Sequence, residues 1–141
     1  MAEPFDYYRI SGRSVSLDNK LLAYGEDTLS RRIYTLKFKN LETGEMLPDV
    51  IENTTGGAVW ANDNKTVFYT QKDDALRSYK IFKHKLGTPS SQDELIFHEK
   101  DEIYGCFIYK TKSKKYLVLG SYATLTQEYK YLDANLSLIH I

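Results

Sequence analysis

The chain has 141 residues, enough for one ordinary domain with a sizeable core. Its 19 basic and 19 acidic side chains cancel, which excludes a net field that would draw it to nucleic acid or an anionic membrane. Cys106 is the only cysteine, so an internal disulfide is excluded and a reducing compartment fits. No apolar run approaches the ~18 residues of a membrane span. Met1 to Asp6 lacks the basic and apolar regions of a signal peptide, so the expected location is the cytosol. Tyrosine, at 12 positions, favours half-buried sheet, where the ring packs and the hydroxyl stays wet.

After a lead-in of residues 1–8, Arg9 to Ser16 reads as a short strand ahead of the turn Leu17-Asp18-Asn19-Lys20. Asp and Asn side chains bond their own backbone and tolerate left-handed dihedrals, which suits a turn. Leu21 to Gly25 is a short apolar strand. Arg32 to Lys39 alternates, with Tyr34, Leu36 and Phe38 on one face and Thr35, Lys37 and Lys39 on the other, the pattern of a half-buried strand. Asn40 to Gly44 turns the chain, and Met46 to Ile51 forms a fourth strand that Pro48 marks as near a sheet edge. Gly56-Gly57 lies in the following link, where a tight bend is needed.

Ala58 to Ala61, the turn Asn62 to Lys65, Thr66 to Thr70, Tyr79 to His84, the turn Leu86 to Pro89 and Glu94 to His98 repeat the plan. Cys106 to Tyr109, the turn Thr111 to Lys115, Tyr116 to Gly120 and Glu128 to Leu132 begin it again. The next fourth strand is expected near positions 141–147, so the chain stops before completing that set. No stretch shows a 3.6-residue period.

Lys20, Lys65 and Lys115 are separated by steps of 45 and 50 residues. The same steps relate Tyr34, Tyr79 and Tyr129, and also Leu22, Val67 and Leu117. Periods of about 40 to 50 residues mark stacked supersecondary units that cannot bury an apolar face alone. The expected fold is all-β, a partial β-propeller of four-stranded antiparallel blades at about 9–57 and 58–101, with most of a third at 102–135. A barrel would show evenly spaced strands without the four-strand superperiod. Residues 136–141 are expected to be a non-native or truncated tail.

Candidate chemistry is sparse. The nucleophile elbow G-x-S-x-G is absent, and Gly12-Arg13-Ser14 lacks its second glycine, so Ser14 is not expected to attack a substrate. Cys106 and His98 fall on different strands without an orienting third group, and Cys106 reads as a small buried hydrophobe. His84, His98 and His140 share no metal-ligand spacing. Lys110, Lys112, Lys114 and Lys115, flanked by Tyr109 and Tyr116, form the one local basic cluster. It coincides with the recurring turn and has Asp101 and Glu102 close in sequence, so a solvated hairpin tip is expected rather than a nucleic-acid surface. Asn53-Thr54-Thr55, Asn64-Lys65-Thr66 and Asn135-Leu136-Ser137 read as chance matches to the glycosylation tripeptide. No phosphate-binding glycine loop is present. No catalytic, cofactor-binding or metal-binding residue is therefore expected.

Four strings carry a resemblance. They are Ser16-Leu17-Asp18-Asn19-Lys20-Leu21-Leu22-Ala23-Tyr24, Arg31 to Glu45, Val59-Trp60-Ala61-Asn62-Asp63-Asn64-Lys65-Thr66-Val67-Phe68-Tyr69-Thr70 and His84-Lys85-Leu86-Gly87-Thr88-Pro89. Over about Asp6 to Asn135 the chain resembles the propeller of the oligopeptidase B (protease II) group in the prolyl oligopeptidase family of serine peptidases. In that family a seven-bladed propeller caps an α/β-hydrolase domain that carries the Ser/Asp/His triad. The resemblance implies a parent enzyme that cuts short peptides after Lys or Arg, with the propeller as lid and size filter. Its implied partner is a C-terminal α/β-hydrolase domain absent from this sequence.

None of the triad motifs maps here, so the chain alone is expected to be inactive. Two departures stand out: the family's segment ahead of the propeller is missing, and Leu136 to Ile141 does not continue as the family does after Asp133-Ala134-Asn135. Two other readings predict different behaviour. A propeller-derived interaction module would have no peptidase activity, and a self-standing small β protein would be a stable monomer.

Overall fold

In a computed structural model of the chain, the described residues are 9–28, 33–73, 77–100, 104–114, 116–122, 127–133 and 139–140. The lead-in 1–8, Asp101, Glu102, Lys115, Asn135 and the tail positions 136–138 and 141 lie outside them. The described residues build strands and one turn of 3-10 helix at Ser90–Gln92. The strands are β1 (Arg9–Val15), β2 (Leu21–Asp27), β3 (Tyr34–Asn40), β4 (Met46–Trp60), β5 (Thr66–Lys72), β6 (Ser78–Lys85), β7 (Glu94–His98), β8 (Gly105–Lys110), β9 (Tyr116–Tyr122), β10 (Gln127–Asp133) and β11 (Ile139–His140). Each pairs antiparallel with its sequence neighbour, β1 to β7 in one ribbon and β8 to β11 in a second. The all-β, antiparallel expectation holds.

The 45- and 50-residue steps have a backbone cause. Asn19, Asn64 and Lys114 hold the same steps, and all three sit in the left-handed region at φ 63°, 60° and 61°. The N–H groups of Ser16, Ala61 and Thr111 donate to the carbonyls of Leu21, Thr66 and Tyr116, each at 2.9 Å. The same turn is thus built three times. Asp18 and Asp63 brace it by accepting from the N–H groups of Lys20 and Lys65. The carbonyls of those two lysines then accept from Leu41 and Leu86, both at 2.8 Å, and so anchor the next turn.

One element differs from expectation. The fourth strand of the first repeat and the first of the second are continuous, as the 15-residue β4. Its Met46–Ile51 part pairs with β3 and its Ala58–Trp60 part with β5, the ladder changing partner at Thr54. The Pro48 segment is consequently an edge, as its missing N–H requires. The bend at Gly56-Gly57 exists, but as an irregularity within extended chain. Asn53 at φ 63° and Gly56 at φ 93° turn the backbone without ending the strand. Gly56 also lies so close to Tyr34 that a Cβ would stand 2.9 Å from the ring, and Gly12 and Gly25 pack their own backbone onto Gly56. A further difference is β11, which pairs with β10 two residues before the expected start of the last fourth strand.

Alternation decides which faces meet. Ala23, Leu36, Phe38 and Ile51 of the first unit pack on Ala58, Trp60, Val67 and Tyr69 of the second. The opposite face of the second unit, with Ala61, Phe68 and Ile81, packs on Cys106, Leu117 and Leu119 of the third. The middle unit is covered on both sides, and its Val67, Phe68 and Ile81 are fully buried. Burying each such side chain stabilises by roughly 1.5–3 kcal/mol. The next face in the series, on β8, β9 and β10, carries Phe107, Tyr109, Tyr122 and Tyr129. Phe107 and Tyr129 meet edge to face above Gly120, which both strands oppose. Tyr129 is 55% exposed, whereas its repeat counterpart Tyr34 is 9% exposed.

Candidate functional site

The seam between the first and second units holds a buried polar network. His84 ends the alternating run of β6 on the face that meets the first unit. Its Nε2 lies 2.7 Å from Asp49 Oδ2 on β4, and its Nδ1 lies 2.6 Å from Asp93 Oδ1 just ahead of β7. The side chains are 1%, 4% and 2% exposed for His84, Asp49 and Asp93. Tyr69 donates its hydroxyl to Asp93 Oδ2 at 2.6 Å, and the Gly87 N–H donates to Asp49 Oδ2 at 3.0 Å. Phe38 stacks on the imidazole with centroids 6.1 Å apart.

A neutral imidazole offers one donor, and ionised carboxylates offer none. Meeting both ring contacts therefore requires the three side chains to share two protons. With both ring nitrogens engaged, no lone pair faces outward for a metal, and among the described residues no His, Cys, Asp and Glu group is arranged to hold one. Burial, then the Asp93 bond, pushes the Tyr69 hydroxyl upward from its ordinary pKa.

Other contacts tie the units along one end. The Trp60 indole donates to the Ser14 carbonyl at 3.0 Å, and the Asp18 N–H donates to Asn64 Oδ1 at 3.0 Å. Asn62 Nδ2 donates to the Lys114 carbonyl at 2.8 Å, linking the second and third turns. At this end the first strands β1, the later half of β4 and β8 surround a cleft of about 350 Å³.

The sequence-derived candidates fall apart in space. Ser14 lines that cleft, whose wall includes neither histidine nor carboxylate among the described residues. Cys106 is buried in the second apolar core, and burial pushes its thiol up to about 12. His98 is on the exposed end of β7, edge-on to Tyr79, its pKa lowered by desolvation and by Lys80, Lys100 and Arg77. The His140 side chain and Lys115 lie outside what is described. Lys112 and Lys114 are exposed at the hairpin tip, but Lys110 is half-buried at the end of β8. Of the glycosylation matches, Asn53 forms the β4 irregularity and Asn64 the second turn. Spacing rules for metals missed the Asp49–His84–Asp93 network. The available signal was strand parity: Asp49 shares the inward parity of Ile51.

Residues 1–137 match the family described as the prolyl oligopeptidase N-terminal beta-propeller domain. The chain belongs to this propeller family. It is 42% identical over 130 residues to dipeptidyl aminopeptidase BI of Pseudoxanthomonas mexicana, which covers 92% of this chain and 18% of that protein. It is 34% identical over 137 residues to protease 2 of Moraxella lacunata, covering 96% of this chain and 20% of that protein. The structure of oligopeptidase B from Leishmania major superposes with a TM-score of 0.93 at 27% identity, over 99% of this chain and 20% of that one. The chain thus spans about a fifth of the length of the relatives it matches. The stacked four-stranded units are propeller architecture.

Proposed function

We propose that the chain is a section of the propeller of a serine-type oligopeptidase, and that it acts there as lid and size filter over a catalytic domain supplied by other polypeptide. The match over residues 1–137 carries the reading, together with the fractional coverage of peptidase relatives. The open aromatic face of β8 to β10 supports it, because the equivalent faces of the first two units are each covered by a following unit. In this reading the blades run about 9–57, 58–101 and 102–135, and the substrates are short peptides cut after Lys or Arg in the cytosol.

A second specificity has its own support. The 42% identical relative is named a dipeptidyl aminopeptidase, which points to release of dipeptides from a free N-terminus. The test compares the gene's whole product with the 141-residue chain on two amides, an N-blocked arginyl amide and a free dipeptidyl amide. The whole product is expected to hydrolyse one of them and to lose that activity to a serine-directed inhibitor, while the chain alone hydrolyses neither. Preference for the blocked arginyl amide supports the oligopeptidase specificity, and preference for the free dipeptide supports the other. Activity in the chain alone, or no inhibitor-sensitive activity in the whole product, overturns the proposal and favours an interaction module.

A further inference from the structure

We propose that the cleft between the first strands of the three units binds the free α-carboxylate of a peptide. Lys110 and Lys114 form its cationic end, and Val15, Leu17 and Tyr109 its apolar end. The inference rests on the reading that peptides reach the propeller wall, and it adds a site to that wall.

The repeat register makes Lys110 conspicuous. Val15, Trp60 and Lys110 hold one position at steps of 45 and 50 residues. In the second unit this position sends the Trp60 indole across the seam to the Ser14 carbonyl. In the third it places a half-buried ammonium at the same kind of seam, beside the exposed Lys114. Burial and the Lys114 charge both lower the Lys110 pKa. Among the described residues, the cleft wall has serines, an asparagine and apolar groups but no acid.

Among the described residues of the wall the two amines have no acid beside them, and two such cations form a field that an anion relieves. The volume, about 350 Å³, is within the range of small-ligand sites. Val15, Leu17 and Tyr109 are each at least 40% exposed, so the wall beside the amines offers apolar surface to a side chain. That combination fits the terminal residue of a peptide better than a bare inorganic anion.

Trp60 is the single tryptophan and forms part of the cleft wall, so its emission reports occupancy. The experiment titrates the 141-residue chain with Ala-Ala-Leu as free acid, with the same tripeptide as C-terminal amide, and with sodium acetate. A saturable emission change is expected for the acid, with binding at least about tenfold weaker for the amide, the size of one lost charge-assisted hydrogen bond, and for acetate, which keeps the charge but lacks the buried apolar side chain. Lys110→Gln is expected to weaken the acid about tenfold, while Lys110→Arg keeps it; a circular dichroism spectrum of the parent chain and of each variant verifies folding. Equal binding of acid and amide, equal binding of acetate, an unaffected Lys110→Gln chain or no saturable change each overturns the site. Hydrolysis by the whole product is a separate measurement, so loss of this site leaves the peptidase reading standing, and the converse.

Discussion

Replacing His84 with alanine tests whether the buried Asp49–His84–Asp93 network locks the first two units together. The substitution leaves two carboxylates, 4% and 2% exposed, facing the space vacated by the ring that both had engaged at 2.6–2.7 Å. Removing one partner of a buried ion pair costs about 3–5 kcal/mol, because the remaining charge loses its compensation. A domain of this size has only about 5–15 kcal/mol in total, so the loss is a large share. With a urea slope of about 2 kcal/mol/M, a loss near 4 kcal/mol lowers the unfolding midpoint by ~2 M. Urea unfolding of the 141-residue chain, followed by Trp60 emission, measures it directly, since Trp60 packs in the core that this seam closes. The double variant with Asp49→Ala is expected to cost less than the sum of the single variants, by about 0.5–3 kcal/mol, because the second change removes one of the two stranded carboxylates. A single-variant cost below ~1 kcal/mol, together with simple additivity, would refute the reasoning.

Three further outcomes are expected. Gly56→Ala forces a Cβ to 2.9 Å from the Tyr34 ring at φ 93°, and is expected to destabilise by at least about 2 kcal/mol; an unchanged melting temperature would contradict the close packing. Lys114→Asn installs at φ 61° the residue that the first two turns already use, and is expected to raise stability by about 0.5–1 kcal/mol in thermal unfolding, with a loss counting against the shared-turn account. Cys106 is expected to resist a thiol reagent at pH 8 until urea is added. Because its folded pKa is raised to about 12 from 9.0, its contribution to stability is intact below pH 9 and is lost as pH climbs toward 12, where the unfolded thiol ionises first. A Cys106→Ala chain lacks that alkaline limb, and identical pH profiles for the two chains would count against it.

Much of the architecture was legible in the residues because its causes are local. Asp18 and Asp63 stabilise a tight turn within a few residues of themselves, and the alternation of Tyr34, Leu36 and Phe38 assigns a face whatever lies opposite. That is why strand order, turn positions and the bend near Gly56 could be read in advance. The His84 network could not be read in the same way. Asp49 and His84 are 35 residues apart, and only the stacking of one unit on the next carries Asp49 to the ring's Nε2. The fused β4 is likewise not encoded locally, since a positive φ at Gly56 can either end a strand or bend it, and the partners on both sides decide which.

The sequence by itself determined the repeat, the position of its recurring turn and the two faces of the Tyr34–Phe38 strand, because these depend on backbone preferences and a two-residue period. Only the tertiary structure decided which side chains share a seam, that Lys110 stands in a cleft rather than on an open tip, and that Tyr129 stays exposed while Tyr34 is covered. Those outcomes depend on what lies across the gap between units, and no spacing along the chain encodes a neighbour's surface.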